Sequence, residues 1–167
     1  PMIFIIILVK ITSPGPAFFW SDRIGKNNVP FKMPKFRTMH IDTPLIATHE
    51  MNNPTEFLTP IGAFLRRSSL DEIPQLFTIL TGKMSFVGPR PALFNQNDLI
   101  KYRNDFGVEK ILPGLTGWAQ VNGRDDLPIL EKVTLDVEYC ERKSFLFDLK
   151  ILWLTIFRVL NEDGVSH

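Results

Sequence analysis

Residues 145–160 read FLFDLKILWLTIFRVL, and this stretch decides how the rest of the chain can fold. Its apolar side chains recur at helical spacing and predict a helix with a wide apolar face. Such a face needs a cover, which is either the protein core or a membrane interface. At an interface, Trp153 would anchor the helix while Lys150 and Arg158 meet anionic headgroups.

A second apolar run lies at the other end of the chain, where residues 2–9 read MIFIIILV and stop at Lys10. This run is too short to cross a bilayer, which takes about 20 residues. Its isoleucines favour a buried β-strand. The alternative is the second half of a hairpin helix that dips into a membrane and leaves on the same side. Pro1 would then lie at the bend, because proline lacks an N–H.

The composition indicates one globular domain and excludes several functions. The 167 residues are 44% hydrophobic, which is enough for a core, although one core of this size has difficulty covering both apolar ends. A net charge of +1 gives no field that would hold a nucleic acid, so we expect no nucleic-acid partner. The single cysteine, Cys140, excludes an internal disulfide. Metal-ligand spacing is absent among the histidines, which are His40, His49 and His167.

The polar middle of the chain predicts short elements joined by turns. Gly25 with Asn27 and Asn28 indicates the turn of a short β-hairpin, and residues 40–60 form a predicted loop. Periodicity predicts helices over residues 61–68, 69–80, 96–106 and 128–143. The proline-rich and glycine-rich segments are predicted as loops over residues 85–94 and 113–123. The expected fold class is therefore α+β and mostly helical.

Lys35 and Arg37 end the second strand of the predicted hairpin. Two side chains spaced i, i+2 on a strand project from the same face. The pair either binds an anion or forms an ordinary solvated strand edge, and the pattern leaves both interpretations open.

Residues 69–75 read SLDEIPQ and carry adjacent carboxylates, Asp71 and Glu72. Ser69 followed three residues later by Glu72 has the spacing of a helix capping box, and the segment alone favours that structural role. Arg66, about one turn earlier, supports a functional role, because it would hold an anion next to the carboxylates. A helix start also attracts phosphate, so the acidic pair is a candidate reaction centre.

Two further arginines lie in segments suited to phosphate. Arg90 stands between two prolines in GPRP, residues 88–91, so little freedom is lost when it binds a ligand; the alternative is a rigid surface turn. Arg124 ends a glycine-rich stretch in which the backbone can approach a ligand closely. The sequence contains neither a P-loop nor a Rossmann fingerprint, so arginines and a metal would have to hold the phosphate.

These segments occur in the same order in the bacterial sugar transferase family, which the chain resembles over nearly its whole length. The matching stretches are GPAFF (15–19), FKMPKFRTM (31–39), SLDEIPQ (69–75), MSFVGPRP (84–91) and GLTGWAQVNGR (114–124). One departure is Lys83, where the family usually has an acid. The resemblance implies a monotopic polyprenyl-phosphate sugar-1-phosphate transferase.

The resemblance implies a two-step mechanism with Asp71 as the nucleophile. Asp71 would attack the sugar-bearing phosphate of a UDP-sugar, forming an aspartyl phosphosugar and releasing UMP. Polyprenyl (undecaprenyl) phosphate would then take the phosphosugar away. Glu72 is implied as the ligand of a Mg²⁺ cofactor. The other implied roles are phosphate contacts from Arg66, Arg90 and Arg124, lipid-phosphate or headgroup contacts from Lys35 and Arg37, and orientation of an arginine by Asp148.

The resemblance also implies where the chain lies. Residues 1–11 would be the second half of a re-entrant membrane helix, whose first half would precede Pro1. Residues 12–167 would form a catalytic domain facing the cytosol, with an interfacial C-terminal helix. The implied place is the cytoplasmic face of the bacterial inner membrane, at the first membrane step of surface polysaccharide (exopolysaccharide or lipopolysaccharide) or glycoconjugate synthesis.

The expected partners are a UDP-sugar, polyprenyl phosphate, membrane lipids and, as an open alternative, a second copy of the chain. A rival function is a non-catalytic membrane module that binds anionic lipid. It would explain the apolar ends and the basic clusters, but it gives no reason for a carboxylate pair among arginines.

Overall fold

The structure, a computed structural model, describes residues 2–44, 51, 53–123 and 127–160. It begins with helix α1, Met2–Thr12. The strand interpretation of residues 2–9 is therefore wrong. A helix satisfies its own backbone hydrogen bonds without a partner strand, and the i, i+4 spacing of Ile5 and Val9 buries both on one face. The opposite side of α1 is exposed at Ile3, Phe4, Ile7 and Ile11.

The predicted hairpin is confirmed. Strand β1, Phe18–Ile24, pairs antiparallel with strand β2, Pro30–Phe36. A 3₁₀ turn, Lys26–Asn28, joins them, and both asparagines of this turn take positive φ angles. The hairpin packs on α1 through a first core cluster that consists of Ile5, Val9, Ala17, Phe36 and Leu65.

The helix predicted over residues 69–80 is divided in two. After α2, Gly62–Arg67, a 3₁₀ helix, Leu70–Gln75, leads directly into α3, Leu76–Leu80. Ser69 takes a left-handed conformation (φ 55°) and its side chain caps nothing, so the capping-box interpretation is also wrong. Leu70 and Ile73, spaced i, i+3 and therefore aligned on a 3₁₀ helix, pack against the first core cluster and anchor this turn.

The segments predicted as loops contain regular structure. Strand β3, Ser85–Val87, pairs in parallel with β4, Gly114–Thr116, and α5, Trp118–Asn122, follows. Glycine permits the close approach: a Cβ on Gly114 would lie 2.1 Å from the Gly88 nitrogen. Between these strands lie α4, Asn97–Asp105, and a 3₁₀ turn, Val108–Lys110. A further 3₁₀ turn, Pro54–Phe57, lies in the predicted 40–60 loop.

Two long helices complete the chain, α6, Ile129–Arg142, and α7, Phe145–Leu160. Both agree with prediction, and the expected α+β, mostly helical class is confirmed. The inner face of α7 enters a second core cluster formed by Val87, Val121, Tyr139, Phe147 and Ile151. Its outer face exposes Phe145, Leu146, Leu149, Trp153, Ile156 and Phe157. Within the described part of the chain, no helix combines the length and apolar character needed to cross a bilayer.

Candidate active site

Asp71 and Glu72 lie on the 3₁₀ helix against the hairpin, and Lys35 of β2 contacts both. The Lys35 Nζ atom lies 2.7 Å from Glu72 Oε1 and 3.9 Å from Asp71 Oδ2. Arg90 Nη2 donates to the same Glu72 oxygen at 3.1 Å. Three segments that are far apart in the sequence thus bring two carboxylates and two cations together.

The two carboxylates have opposite electrostatic environments. Burial raises the pKa of Asp71; the Lys35 charge opposes this shift, and the adjacent Glu72 charge adds to it. Burial also acts to raise the pKa of Glu72, but Lys35 and Arg90 outweigh it and hold that pKa well below its usual range. Glu72 is therefore firmly ionised, whereas Asp71 is a poorly solvated and more basic carboxylate, which is the character a nucleophile needs.

Arg66 lies beside the pair, at the end of α2. Its Nε atom donates to Thr38 Oγ1 at 3.0 Å. Burial lowers the pKa of Arg66, and the nearby Asp71 charge raises it. The residue also lines the cavity onto which the carboxylates open, so its guanidinium is available to an anion bound there.

Arg37 and Lys35 do not form a solvated strand edge, since both are largely buried. Arg37 donates through Nη2 to the Ser13 carbonyl oxygen at 3.0 Å and through Nη1 to that of Pro14. It therefore fastens the end of α1 to the hairpin, in addition to lining the cavity.

Two expected site residues remain, Asp148 and Arg124. Asp148 accepts a hydrogen bond at 2.9 Å from the hydroxyl of Tyr139, which is a member of the second core cluster. The partner of Asp148 in this contact is a tyrosine, whereas the resemblance implied that Asp148 orients an arginine. Arg124 lies outside the described residues.

A cavity of about 760 Å³ opens beside the acidic pair. Its volume is in the range of ligand sites, and it exceeds what one phosphate would fill. Both charged residues and exposed aromatic side chains line the cavity; the aromatic residues are Phe19, Trp20, Phe86 and Phe94. The arrangement suits a ligand with an anionic centre and a larger organic portion.

Two features of the site were not predicted from the sequence. The first is the direct contact between Lys35 and Glu72, for which no local signal exists because the residues are 37 positions apart. The second is Gln120 on α5, which lines the cavity; within the described residues, both of its side-chain amide atoms are buried without a hydrogen-bond partner. Its place in the segment matched to the family was the only available signal.

The acidic pair fits a magnesium ion only together with a ligand. The described residues contain no cluster of three or more His, Cys, Asp or Glu side chains that could enclose a metal. Asp71 and Glu72 supply two carboxylates, and Mg²⁺ commonly binds through one or two carboxylates plus substrate phosphates. Carboxylates among cations, at a cavity of this size, are parts that a phosphoryl-transfer site requires.

Comparison with known proteins identifies the family of the chain. Over residues 1–162 the chain matches the family described as Bacterial sugar transferase, and it belongs to this family.

Three relatives illustrate its range. The UDP-glucose:undecaprenyl-phosphate glucose-1-phosphate transferase of Escherichia coli (strain K12) is 41% identical over 163 residues, which cover 92% of this chain and 35% of that protein. The uncharacterized sugar transferase EpsL of Bacillus subtilis (strain 168) is 39% identical over 172 residues, 99% of this chain and 81% of that protein. The exopolysaccharide production protein ExoY of Sinorhizobium fredii (strain NBRC 101917 / NGR234) is 36% identical over 172 residues, which cover 94% of this chain and 76% of that protein. The chain thus spans about a third of the Escherichia coli relative.

Proposed function

We propose that this chain transfers a sugar-1-phosphate from a UDP-sugar to polyprenyl phosphate, through an aspartyl phosphosugar intermediate, and releases UMP. The observation that carries this proposal is the buried Asp71 carboxylate, held beside Lys35, Arg66 and Glu72 at the mouth of a large cavity. Relatives named as UDP-glucose:undecaprenyl-phosphate glucose-1-phosphate transferases support UDP-glucose and undecaprenyl phosphate as the first substrates to test.

In the first step an Asp71 oxygen attacks the phosphorus that carries the sugar. The bond from this phosphorus to the UMP oxygen breaks, and UMP leaves with the electron pair. In the second step a phosphate oxygen of the lipid attacks the same phosphorus, and the bond to Asp71 breaks. The carboxylate is regenerated, and the products are UMP and the lipid-linked diphosphosugar. Because one phosphoanhydride replaces another, the difficulty is kinetic: an anion must approach an anion.

The cationic side chains meet that difficulty. Arg66 and Arg90 bind the donor phosphates, and we assign the same role to Arg124. Lys35 holds Glu72 in place and reduces the negative charge that the incoming diphosphate meets. Bound to Glu72 and the diphosphate, Mg²⁺ would supply further positive charge to the oxygens that become more negative in the transition state.

The exposed apolar faces of α1 and α7 support a location on a membrane, where a polyprenyl phosphate substrate would reside. We propose that α1 is the second half of a re-entrant helix and that α7 lies in the interface, on the cytoplasmic face of the bacterial inner membrane. Large apolar patches of this kind mark lipid or protein contacts. The product would enter surface polysaccharide or glycoconjugate synthesis.

The decisive experiment identifies the nucleotide product. Protein purified in detergent is incubated with UDP-glucose, undecaprenyl phosphate and Mg²⁺, and nucleotides are separated by chromatography. We expect UMP, together with a phosphosugar-linked lipid. Release of UDP would identify a glycosyltransferase, and a panel of UDP-sugars that yields neither nucleotide would favour the anionic-lipid-binding module; either result contradicts the proposal.

A further inference from the structure

The backbone that carries Arg90 is held at two carbonyl groups. Arg103 Nη1 donates to the Arg90 carbonyl oxygen at 2.7 Å. The Tyr139 hydroxyl shares its single hydrogen between the Val87 carbonyl oxygen at 3.2 Å and Asp148 Oδ1 at 2.9 Å. The two held carbonyls enclose residues 88 and 89. The path of the backbone is therefore defined on both sides of the turn from which the Arg90 side chain reaches Glu72.

Arg103 is itself held by a buried ion pair between two helices. Its Nε and Nη2 atoms donate to Asp136 Oδ2 at 2.9 Å and 2.7 Å. Arg103 belongs to α4 and Asp136, which is 1% exposed, belongs to α6. The planar guanidinium uses one edge for the carboxylate and leaves Nη1 for the carbonyl, a geometry that a lysine ammonium cannot reproduce.

This ion pair is poorly explained as a stabilising device. Burial raises the pKa of Asp136 even though the Arg103 charge acts to lower it, which means that the desolvation of the carboxylate is substantial. Buried ion pairs can often be replaced by apolar side chains without loss of stability. An apolar pair, however, could not donate a hydrogen bond to the Arg90 carbonyl.

We infer that Arg103 and Tyr139 are positioning residues, which hold the carbonyls of Arg90 and Val87 so that the Arg90 guanidinium meets Glu72 and the donor phosphate together. Arg103 borders the cavity, but its Nε, Nη1 and Nη2 atoms already donate to Asp136 and to the Arg90 carbonyl oxygen. We therefore assign both residues a role that acts through Arg90. Asp136 orients Arg103, and Asp148 orients Tyr139. The inference rests on the proposed function for the identity of the phosphate.

A double-mutant cycle tests the inference. Arg103→Lys keeps a positive charge beside Asp136 but loses the fork that reaches the Arg90 carbonyl. We expect kcat/KM for UMP release to fall about tenfold in the wild-type background and by less than about twofold in an Arg90→Ala background, because coupled residues are not additive. A purely structural role predicts the same factor in both backgrounds, and that result would overturn the inference.

Two further variants keep the cycle interpretable. Arg142→Lys is the matched control, because Arg142 forms an exposed ion pair with Glu138 on α6. The kcat/KM of this variant should equal that of the wild type. If Arg103→Lys does not fold, Tyr139→Phe replaces it in the cycle. This change removes the hydroxyl that reaches Val87 and retains the packed ring, and the same dependence on Arg90 is expected.

The failure of the proposed function can be distinguished from the failure of this inference. If the wild type releases no UMP, the proposed function is wrong. The affinity of each protein in the cycle for UDP is then measured by calorimetry in place of kcat/KM. A loss of UDP affinity in Arg103→Lys that requires Arg90 supports the inference. A loss independent of Arg90, or a wild type that does not bind UDP, overturns it.

Discussion

Asp71 and Glu72 are neighbours in the sequence, yet their carboxylates meet different partners. Glu72 Oε1 accepts hydrogen bonds from both Lys35 and Arg90, and this oxygen is saturated by cations. Asp71 is buried beside the same lysine at the longer distance of 3.9 Å. The difference assigns Glu72 to holding positive charge and leaves Asp71 available to attack phosphorus.

Asp71→Asn is expected to abolish turnover while the fold survives. The amide is nearly isosteric with the carboxylate but cannot attack phosphorus. UMP release should fall by more than about a thousandfold, corresponding to ~4 kcal/mol of barrier. Wild-type protein given labelled UDP-sugar without lipid should retain label in a hydroxylamine-sensitive linkage, and the variant should not. Turnover within about tenfold of wild type would exclude Asp71 as the nucleophile.

The same substitution should raise thermal stability at neutral pH. Because burial raises the pKa of Asp71, the folded protein keeps its proton over a pH range in which the unfolded chain has lost it. The stability of the wild type therefore falls as pH rises from the usual carboxyl range, about 4, through the raised pKa of Asp71. Melting temperatures of wild type and Asp71→Asn, measured from pH 4 to pH 8, should diverge in favour of the variant.

Glu72→Gln is the matched control with the opposite sign. The pKa of Glu72 is lowered by Lys35 and Arg90, so its ionised form stabilises the fold above the usual glutamate pKa, and that contribution is lost as pH falls. At neutral pH this variant should melt below the wild type. If both variants shift the melting temperature in the same direction at pH 8, the assigned electrostatic difference between the two acids is wrong.

Among the elements, α7 has two faces with separate tasks. Phe147 and Ile151, spaced i, i+4, are buried in the second core cluster. Trp153 and Phe157 belong to the exposed side, and their rings pack edge to face with centroids 4.8 Å apart. A helix that packs through one face while exposing aromatic residues on the other is suited to an interface between protein and lipid.

Trp153→Glu should weaken membrane binding without unfolding the protein. The side chain is 62% exposed, so the packing of α7 does not depend on it, but a carboxylate there would oppose anionic lipid. We expect the partition coefficient onto phosphatidylglycerol-containing vesicles to fall about tenfold in sedimentation assays. Trp153→Phe is the control and should bind nearly as wild type. Equal binding of all three proteins would argue against α7 as an interfacial helix.

At the scale of the whole molecule, the site is assembled from separate segments around one cavity. The hairpin supplies Lys35, the 3₁₀ helix supplies the acids, and the turn after β3 supplies Arg90. Two carboxylates alone bind Mg²⁺ weakly, and the substrate diphosphate must complete the coordination. The metal is therefore expected to matter for catalysis far more than for folding.

Removal of the metal should separate its effect on catalysis from its effect on folding. In excess EDTA, UMP release should fall to background, and it should return when Mg²⁺ is added to millimolar concentration. The melting temperature of the protein without substrate should stay unchanged, since the residues that the structure describes form no ligand cluster that could enclose the ion. Full activity in excess EDTA would contradict the assignment of Glu72 as a Mg²⁺ ligand.

The sequence by itself determined the features that are written in short-range patterns. The apolar periodicity of residues 145–160 defined α7, and the glycine–asparagine turn defined the hairpin, because the residues that decide these elements are neighbours. The acidic pair and its nearby arginine were recognised for the same reason. Each of these sequence patterns lies within a few positions of the residues whose structure or role it predicts.

Only the tertiary structure decided the rest. Residues 2–9 became a helix because Ile5 and Val9 pack on the hairpin, and the 69–80 helix broke where Leu70 and Ile73 meet that same core. The parallel β3–β4 pair joins strands about 30 residues apart, as parallel pairing generally requires a long connection. Lys35 reached Glu72 across 37 positions. The free energy of these contacts depends on partners that are distant in the sequence, so no local pattern records it.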